Sequence, residues 1–176
     1  MRPLVLWAMA PLTDAALTPY HAIKRSLPVL VPGSTEAARN AALTMGAAHA
    51  VAPGDDAVAS ITALTRGRGA EATIDLVGSD ETSALGAAVT RSTGHLTIVG
   101  IAGGGLPVSF FSPAYEVSVA STYWGTLPEL VEVIELARSG HIAAHIERRP
   151  LDAAAEAYSA LRAGDVEGRV VVVPGG

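Results

Sequence analysis

Leu30-Val31-Pro32-Gly33-Ser34-Thr35 runs directly into Glu36-Ala37-Ala38-Arg39-Asn40-Ala41-Ala42-Leu43, and the reading of this junction decides the fold. Its first half reads as a loop delivering the chain to a buried strand. Pro and Gly punctuate it, and a Ser/Thr pair follows where a strand or helix should open. The second half reads as the middle of a helix, here 36–45, with no strand before it. An alternation of strands and helices is therefore broken between Thr35 and Glu36.

Downstream the alternation is regular. Ala50-Val51 reads as a short strand ending at Pro53-Gly54, and Asp55-Asp56 as the cap of a helix carrying Val58, Ile61 and Leu64 and ending near Gly67. Ala72–Gly78 reads as a strand, and Ser79-Asp80-Glu81 as the cap of a helix bearing Leu85 and Val89. Gly94–Ile101 is a near-continuous apolar run, the pattern of a strand buried on both faces. Strands are expected again over Pro107–Phe111 and Val117–Trp124. A helix over Leu127–Arg138 is closed by Ser139-Gly140. An extended stretch over Ile142–Pro150, a helix from Asp152 through Leu161 and a strand over Gly168–Pro174 complete the chain. Helical crossovers of this length imply right-handed connections and a parallel sheet covered on both faces. The expected class is α/β: an incomplete doubly wound, Rossmann-like parallel sheet lacking its first βαβ unit.

At 176 residues, 49% of them apolar, the chain is one domain long and has a real core to bury. A net charge of −5 with no basic run argues against nucleic acid or an anionic membrane as partner. The absence of cysteine excludes disulfides and thiolate metal sites. Arg2 and the apolar Pro3–Ala10 imitate a secretory leader, but the stretch is short, broken by Pro3 and without a basic region. No stretch is long enough to span a membrane. The expectation is a soluble, cytoplasmic protein.

Two glycine patterns invite a dinucleotide reading and lack its geometry. Gly100-Ile101-Ala102-Gly103-Gly104-Gly105 follows a strand, but its spacing is wrong and it leads towards Leu106-Pro107-Val108 rather than a helix. A phosphate cradle needs the free N–H groups of a helix start directly after the glycines. The favoured reading is a flexible turn. Gly67-Arg68-Gly69 reads as a helix end and turn. No G-x-G-x-x-G, G-x-S-x-G, Walker lysine loop or H-E-x-x-H occurs. His141 and His145 have the spacing of a helical metal pair, but Ser139-Gly140 ends the helix before them. Asp75 inside an apolar strand needs hydrogen-bond partners; capping a neighbouring loop and catalysis are its two readings, the first preferred.

The segment Ala10–Ile23 resembles the helix that enters the coenzyme domain of zinc-dependent, medium-chain alcohol dehydrogenases. More narrowly, it is similar to the bacterial secondary-alcohol dehydrogenases that use Asp as the third ligand of the catalytic zinc. The resemblance continues through Pro32–Thr35, Met45–Ala48, Ile74–Gly78, Gly94–Ile101, Tyr123–Thr126 and Gly168–Pro174, in order. It implies NAD(P) and zinc as cofactors, a small alcohol, aldehyde or ketone as substrate, and a homodimer joined through Val117–Trp124. It also implies residues 1–35 as an entry segment and 36–176 as a partial dinucleotide-binding domain.

Position by position, Asp14 matches the zinc ligand and Thr18 a residue beside the nicotinamide. Val77 and Gly78 match the turn after the fourth strand, and Gly100 and Ile101 the turn after the fifth, at the strand ends where such sheets bind ligands. Packing at strand ends is their alternative role. Tyr123 and Trp124 match the segment that contacts the carboxamide and borders the substrate pocket. Arg169 matches a residue that pairs with the pyrophosphate, a suitable task for a guanidinium fork.

Two departures qualify these matches. The family's substrate domain, which contributes a Cys and a His to the zinc, has no counterpart before Pro11, and one carboxylate cannot hold zinc in a three-ligand open site. The first strand, glycine-rich turn, first helix and second strand should lie between Thr35 and Glu36, so about 30 or more residues are missing. In a sheet ordered 3-2-1-4-5-6 this loss separates strand 3 from strand 4 and bares an edge on strand 4. The sequence thus carries an oxidoreductase resemblance whose catalytic set is incomplete. The alternative is a non-catalytic, at most dimerising, remnant.

Overall fold

The structure is a computed structural model that describes residues 6–25, 29–30 and 36–174. The Pro32–Thr35 turn, the start of the leader-like stretch and the last two residues lie outside the described residues. The helices are α1 (Leu6–Met9), α2 (Leu17–Arg25), α3 (Glu36–Thr44), α4 (Ala57–Leu64), α5 (Asp80–Val89), α6 (Leu127–Arg138) and α7 (Ala154–Ala163). The strands are β1 (Val29–Leu30), β2 (Ala70–Asp75), β3 (Thr90–Ile98), β4 (Ser118–Ser121), β5 (Ile146–Pro150) and β6 (Arg169–Val173). They form two compact units, Ala22–Tyr123 and Met1–His21 with Trp124–Gly176.

The Ala22–Tyr123 unit holds a parallel sheet in the order β1-β2-β3-β4. Its core is where α5 lies on β2 and β3. Ala72, Ile74 and Leu96 are buried, with Val89 and Ala87 from the helix and Ile61 from α4. Gly86 brings α5 close, since a methyl there would meet Leu96 Cδ1 at 2.9 Å. Thr90 answers the demand that buried polar groups be bonded, whereas Thr122 Oγ1 in this unit is buried without a partner among the described residues. Thr90 Oγ1 donates to the Gly86 carbonyl at 2.6 Å and lies 2.8 Å from Thr73 Oγ1.

The edge expected to be bare on β2 is partly occupied. Val29 pairs with Ala72 and Leu30 with Thr73, so the residues just before the junction take the place beside β2. Backbone hydrogen-bonding groups require a partner, and these two residues supply it. Ala50-Val51, by contrast, is not a strand. A strand exists only where a neighbour accepts and donates, and the strand that would have flanked it is missing from the sequence. Pro107–Phe111 likewise gives no strand, only an isolated bridge between Ser109 and Ser112. The apolar run expected from Gly94 starts earlier, at Thr90, and closes at Ile98.

The other unit contains β5 and β6, a separate parallel pair running from Ile146↔Arg169 to Pro150↔Val173. The final strand therefore does not extend the four-stranded sheet. The Arg148 guanidinium stands 4.7 Å over the Trp7 ring, holding α1 to β5. Leu12, Leu17, Val133 and Ala157 form the apolar interior.

The helix starts divide into two kinds. Ser79 and Thr126 close reciprocal capping boxes on α5 and α6. Asp56, expected to cap α4, makes no side-chain cap bond, and a 3₁₀ turn over Leu151–Ala153 carries Asp152 so that α7 begins at Ala154 uncapped. Among the described residues no helix is long and apolar enough to cross a membrane.

Candidate functional site

Parallel register brings three of the sequence-predicted positions to one end of the four-stranded sheet. Asp75 is level with Ile98, and Ile98 with Ser121. Val77, Gly100 and Tyr123 each follow two residues later, at the carboxyl ends of β2, β3 and β4, where open α/β sheets bind ligands. Val77 and Ile101 are exposed, Ile101 to 90%, and Tyr123 stands largely in solvent.

Asp75 organises this end. Its Oδ1 accepts the backbone N–H groups of Val77 and Gly78, both at 2.9 Å. Its Oδ2 accepts the hydroxyls of Thr82 at 3.0 Å and Ser83 at 2.9 Å. Burial pushes this carboxyl up, but the hydrogen bonds from Gly78, Val77, Ser83 and Thr82 outweigh it and hold Asp75 below the usual carboxylate range. With every lone pair engaged by the loop and by α5, Asp75 is a cap and not a free base. The capping reading of the sequence holds, and the catalytic one does not.

The two turns are fastened to each other. Ala102 N–H donates to the Val77 carbonyl at 3.1 Å and Gly104 N–H to the Gly78 carbonyl at 2.9 Å. Gly78 has φ +72°, and a methyl there would collide with the Gly100 carbonyl; a methyl on Gly100 would collide with the backbone of Val77. Gly104 presses on the Ser79–Asp80 backbone, and Gly105 N–H donates to Asp80 Oδ1 at 2.8 Å. Gly100–Gly105 is therefore not a loose turn: it is laid over the start of α5. That start is already closed, with Thr82 N–H on Ser79 Oγ and Ser83 N–H on the Ser79 carbonyl.

The remaining predicted positions lie in the other unit. Asp14 and Arg169 line one groove of about 430 Å³ whose walls include Ala157, Leu161, Val166 and Val172. Both are exposed, and Arg169 Nη1 donates to the Gly168 carbonyl at 3.2 Å. Thr18 is half-buried on α2, and Trp124 is 48% exposed with φ +58°.

Sequence reasoning missed a hydrogen-bonded cluster in this unit. His21 Nδ1 stands 2.9 Å from both carboxylate oxygens of Glu129, and Glu129 Oε2 also accepts the Thr126 backbone N–H at 2.8 Å. Glu129 is pushed down to about 2 by the Thr126 backbone hydrogen bond first, then by His21. The spacing Thr126-x-x-Glu129 was the available signal, since it is a capping box.

Neither implied group fits what is present. Among the described residues no three His, Asp or Glu side chains converge on a point that could hold a metal, and the chain has no Cys. Asp14 by itself does not make a zinc site. A dinucleotide needs open N–H groups at a helix start for its pyrophosphate, and the helix start at the sheet's ligand end is occupied by Ser79, Gly104 and Gly105. The exposed apolar Leu76, Val77 and Ile101 offer a wall but no anion cradle.

Parallel strands with connecting helices and a candidate site at the strand carboxyl ends define a Rossmann-like protein. Residues 26–139 match the family model described as zinc-binding dehydrogenase, and the chain belongs to that family. It is similar to a D-arabinose 1-dehydrogenase (NADP(+)) of Saccharolobus solfataricus, 31% identical over 154 residues that cover 87% of this chain and 44% of that protein. An NAD-dependent alcohol dehydrogenase of Sulfurisphaera tokodaii is 26% identical over 99% of this chain and 60% of that protein. That alignment is longer than this chain, so part of it has no counterpart here. Among solved structures, the alcohol dehydrogenase of Aeropyrum pernix superposes with TM-score 0.84 and 29% identity over 95% of this chain and 58% of that one. The chain spans 44% and 60% of the length of these two curated relatives.

Proposed function

We propose that the chain is a reduced member of the zinc-binding dehydrogenases that, by itself, neither binds NAD(P) nor turns over substrate. The family reaction is hydride transfer between a small alcohol, or an aldose hydroxyl as in the arabinose-oxidising relative, and NAD(P). The single observation that carries the proposal is the covered start of α5, where Ser79 Oγ takes the Thr82 N–H, the Gly104 backbone packs on Ser79–Asp80 and the Gly105 N–H holds the Asp80 carboxylate. That Asp14 belongs to no cluster of three His, Asp or Glu among the described residues supports it on the metal side. Of the positions matched by resemblance, Val77, Gly78, Gly100 and Ile101 then serve strand-end packing, and Thr18, Tyr123, Trp124 and Arg169 carry no cofactor.

Titration of the chain with NADH and NADPH, zinc present, tests this by fluorescence. No saturable signal is expected up to millimolar cofactor. Saturation in the micromolar range overturns the proposal, and loss of any zinc-dependent turnover in Asp14→Ala would then restore Asp14 as a ligand.

A second reading is self-association through Val117–Trp124. It is supported by the position of β4 at the end of the sheet order, which leaves its outer edge without a strand among the described residues.

A further inference from the structure

We propose that His21, Glu129 and Thr126 form a clasp that ties together, on one unit, the two places where the chain passes from that unit to the other. The passages are at His21–Ala22 and Tyr123–Trp124. His21 is the last residue before the first passage, and Thr126 stands two residues beyond Trp124. A single carboxylate joins them: Glu129 takes His21 Nδ1 on both oxygens at 2.9 Å and the Thr126 backbone N–H and hydroxyl at 2.8 and 2.9 Å.

A capping box by itself needs only the reciprocal Thr126–Glu129 exchange. The histidine is an addition from 108 residues away, and the pair is well shielded, with side chains 20% and 11% exposed. Charge-assisted hydrogen bonds in such surroundings are short and directional. Two further contacts seat the same segments. Tyr20 donates to Glu132 at 2.6 Å, and a methyl on Gly125 would meet Leu17 Cδ1 at 2.7 Å and Glu129 Oε2 at 3.2 Å. The clasp thereby fixes the Leu17–His21 part of α2, with Thr18 on it and Asp14 just before it, against the segment that begins at Trp124. These are positioning residues, and the inference does not depend on whether the chain binds a cofactor.

Hydrogen exchange on the full chain reads the clasp locally. His21→Ala and Glu129→Gln are expected to lower protection at least tenfold across α2 and the first turn of α6, while β2 and β3 keep theirs. His21→Asn places an amide N–H near the position of Nδ1 and is expected to recover most of that protection. Equal loss in all elements, unchanged protection at α6 in His21→Ala, or no recovery in His21→Asn overturns the clasp. Should the variants not fold, ¹⁵N spectra of the wild-type imidazole decide: a hydrogen on Nδ1 at neutral pH is expected, and a bare Nδ1 refutes it.

Discussion

At the scale of single residues, the Asp75 carboxylate carries the heaviest local burden. Its two oxygens do different work. Oδ1 serves two backbone N–H groups, which can only donate, whereas Oδ2 serves hydroxyls that can turn and accept instead. Asp75→Asn keeps the first function and is expected to cost about 1 kcal/mol. Asp75→Ala strands buried donors and is expected to cost about 3 kcal/mol. Urea denaturation of both variants checks the ratio, and equal losses would show that the loop N–H groups find water. The sequence made Asp75 legible as a residue needing partners, because a carboxylate inside Ala72–Gly78 cannot stand alone. It did not make legible that Gly78 and Gly100 touch backbone to backbone, since nothing in either local pattern refers to the other.

At the scale of elements, helix starts closed by a reciprocal cap fall where the sequence places them, the acidic starts at Asp56 and Asp152 do not cap, and strands depend on a distant partner the local pattern does not name. Ser79 and Thr126 carry their capping partners at N3, and both helices start where the sequence places them. Ala50-Val51 has the composition of a strand but no neighbour, so it stays irregular. Val29-Leu30 has too few residues to show any alternation, yet it pairs because β2 offers an edge. The α6 cap also has a pH signature. Glu129 titrates near 2 in the folded chain against an ordinary value of 4.5, so its stabilisation is complete above pH 4.5 and is lost as the pH falls towards 2. The thermal midpoint is expected to decline through this window, and Glu129→Gln is expected to flatten that decline. A variant that keeps the full acid slope would assign it to other carboxylates.

At the scale of the whole molecule, the sequence implied one parallel sheet, and the described residues form two. The chain-wide resemblance fixed the class because strand and helix spacing survive an internal loss. It could not fix the site, because the candidate residues are dispersed over the two units. Self-association belongs to this scale. Sedimentation of the 17.9 kDa chain is expected to show a dimer, and Val119→Lys, placing charge on the outer strand β4, is expected to return it to monomer. A wild-type monomer at tens of micromolar (~10 µM and above, where interfaces of standard size associate) removes this reading.

The knot of contacts around Asp75 has a bearing on the order in which the chain acquires its structure. All partners of the Asp75 carboxylate lie between residues 77 and 83, and the strands it terminates close over a single helix. The β1–β2 pair spans Val29 to Ala72, and the His21–Glu129 bond reaches 108 positions. Short loops close at smaller entropic cost, so contacts near in sequence form ahead of remote ones. The β2–α5–β3 segment is thus the natural nucleus of folding. Damage at Asp75 then slows folding, while damage at Glu129 leaves folding speed intact and hastens unfolding.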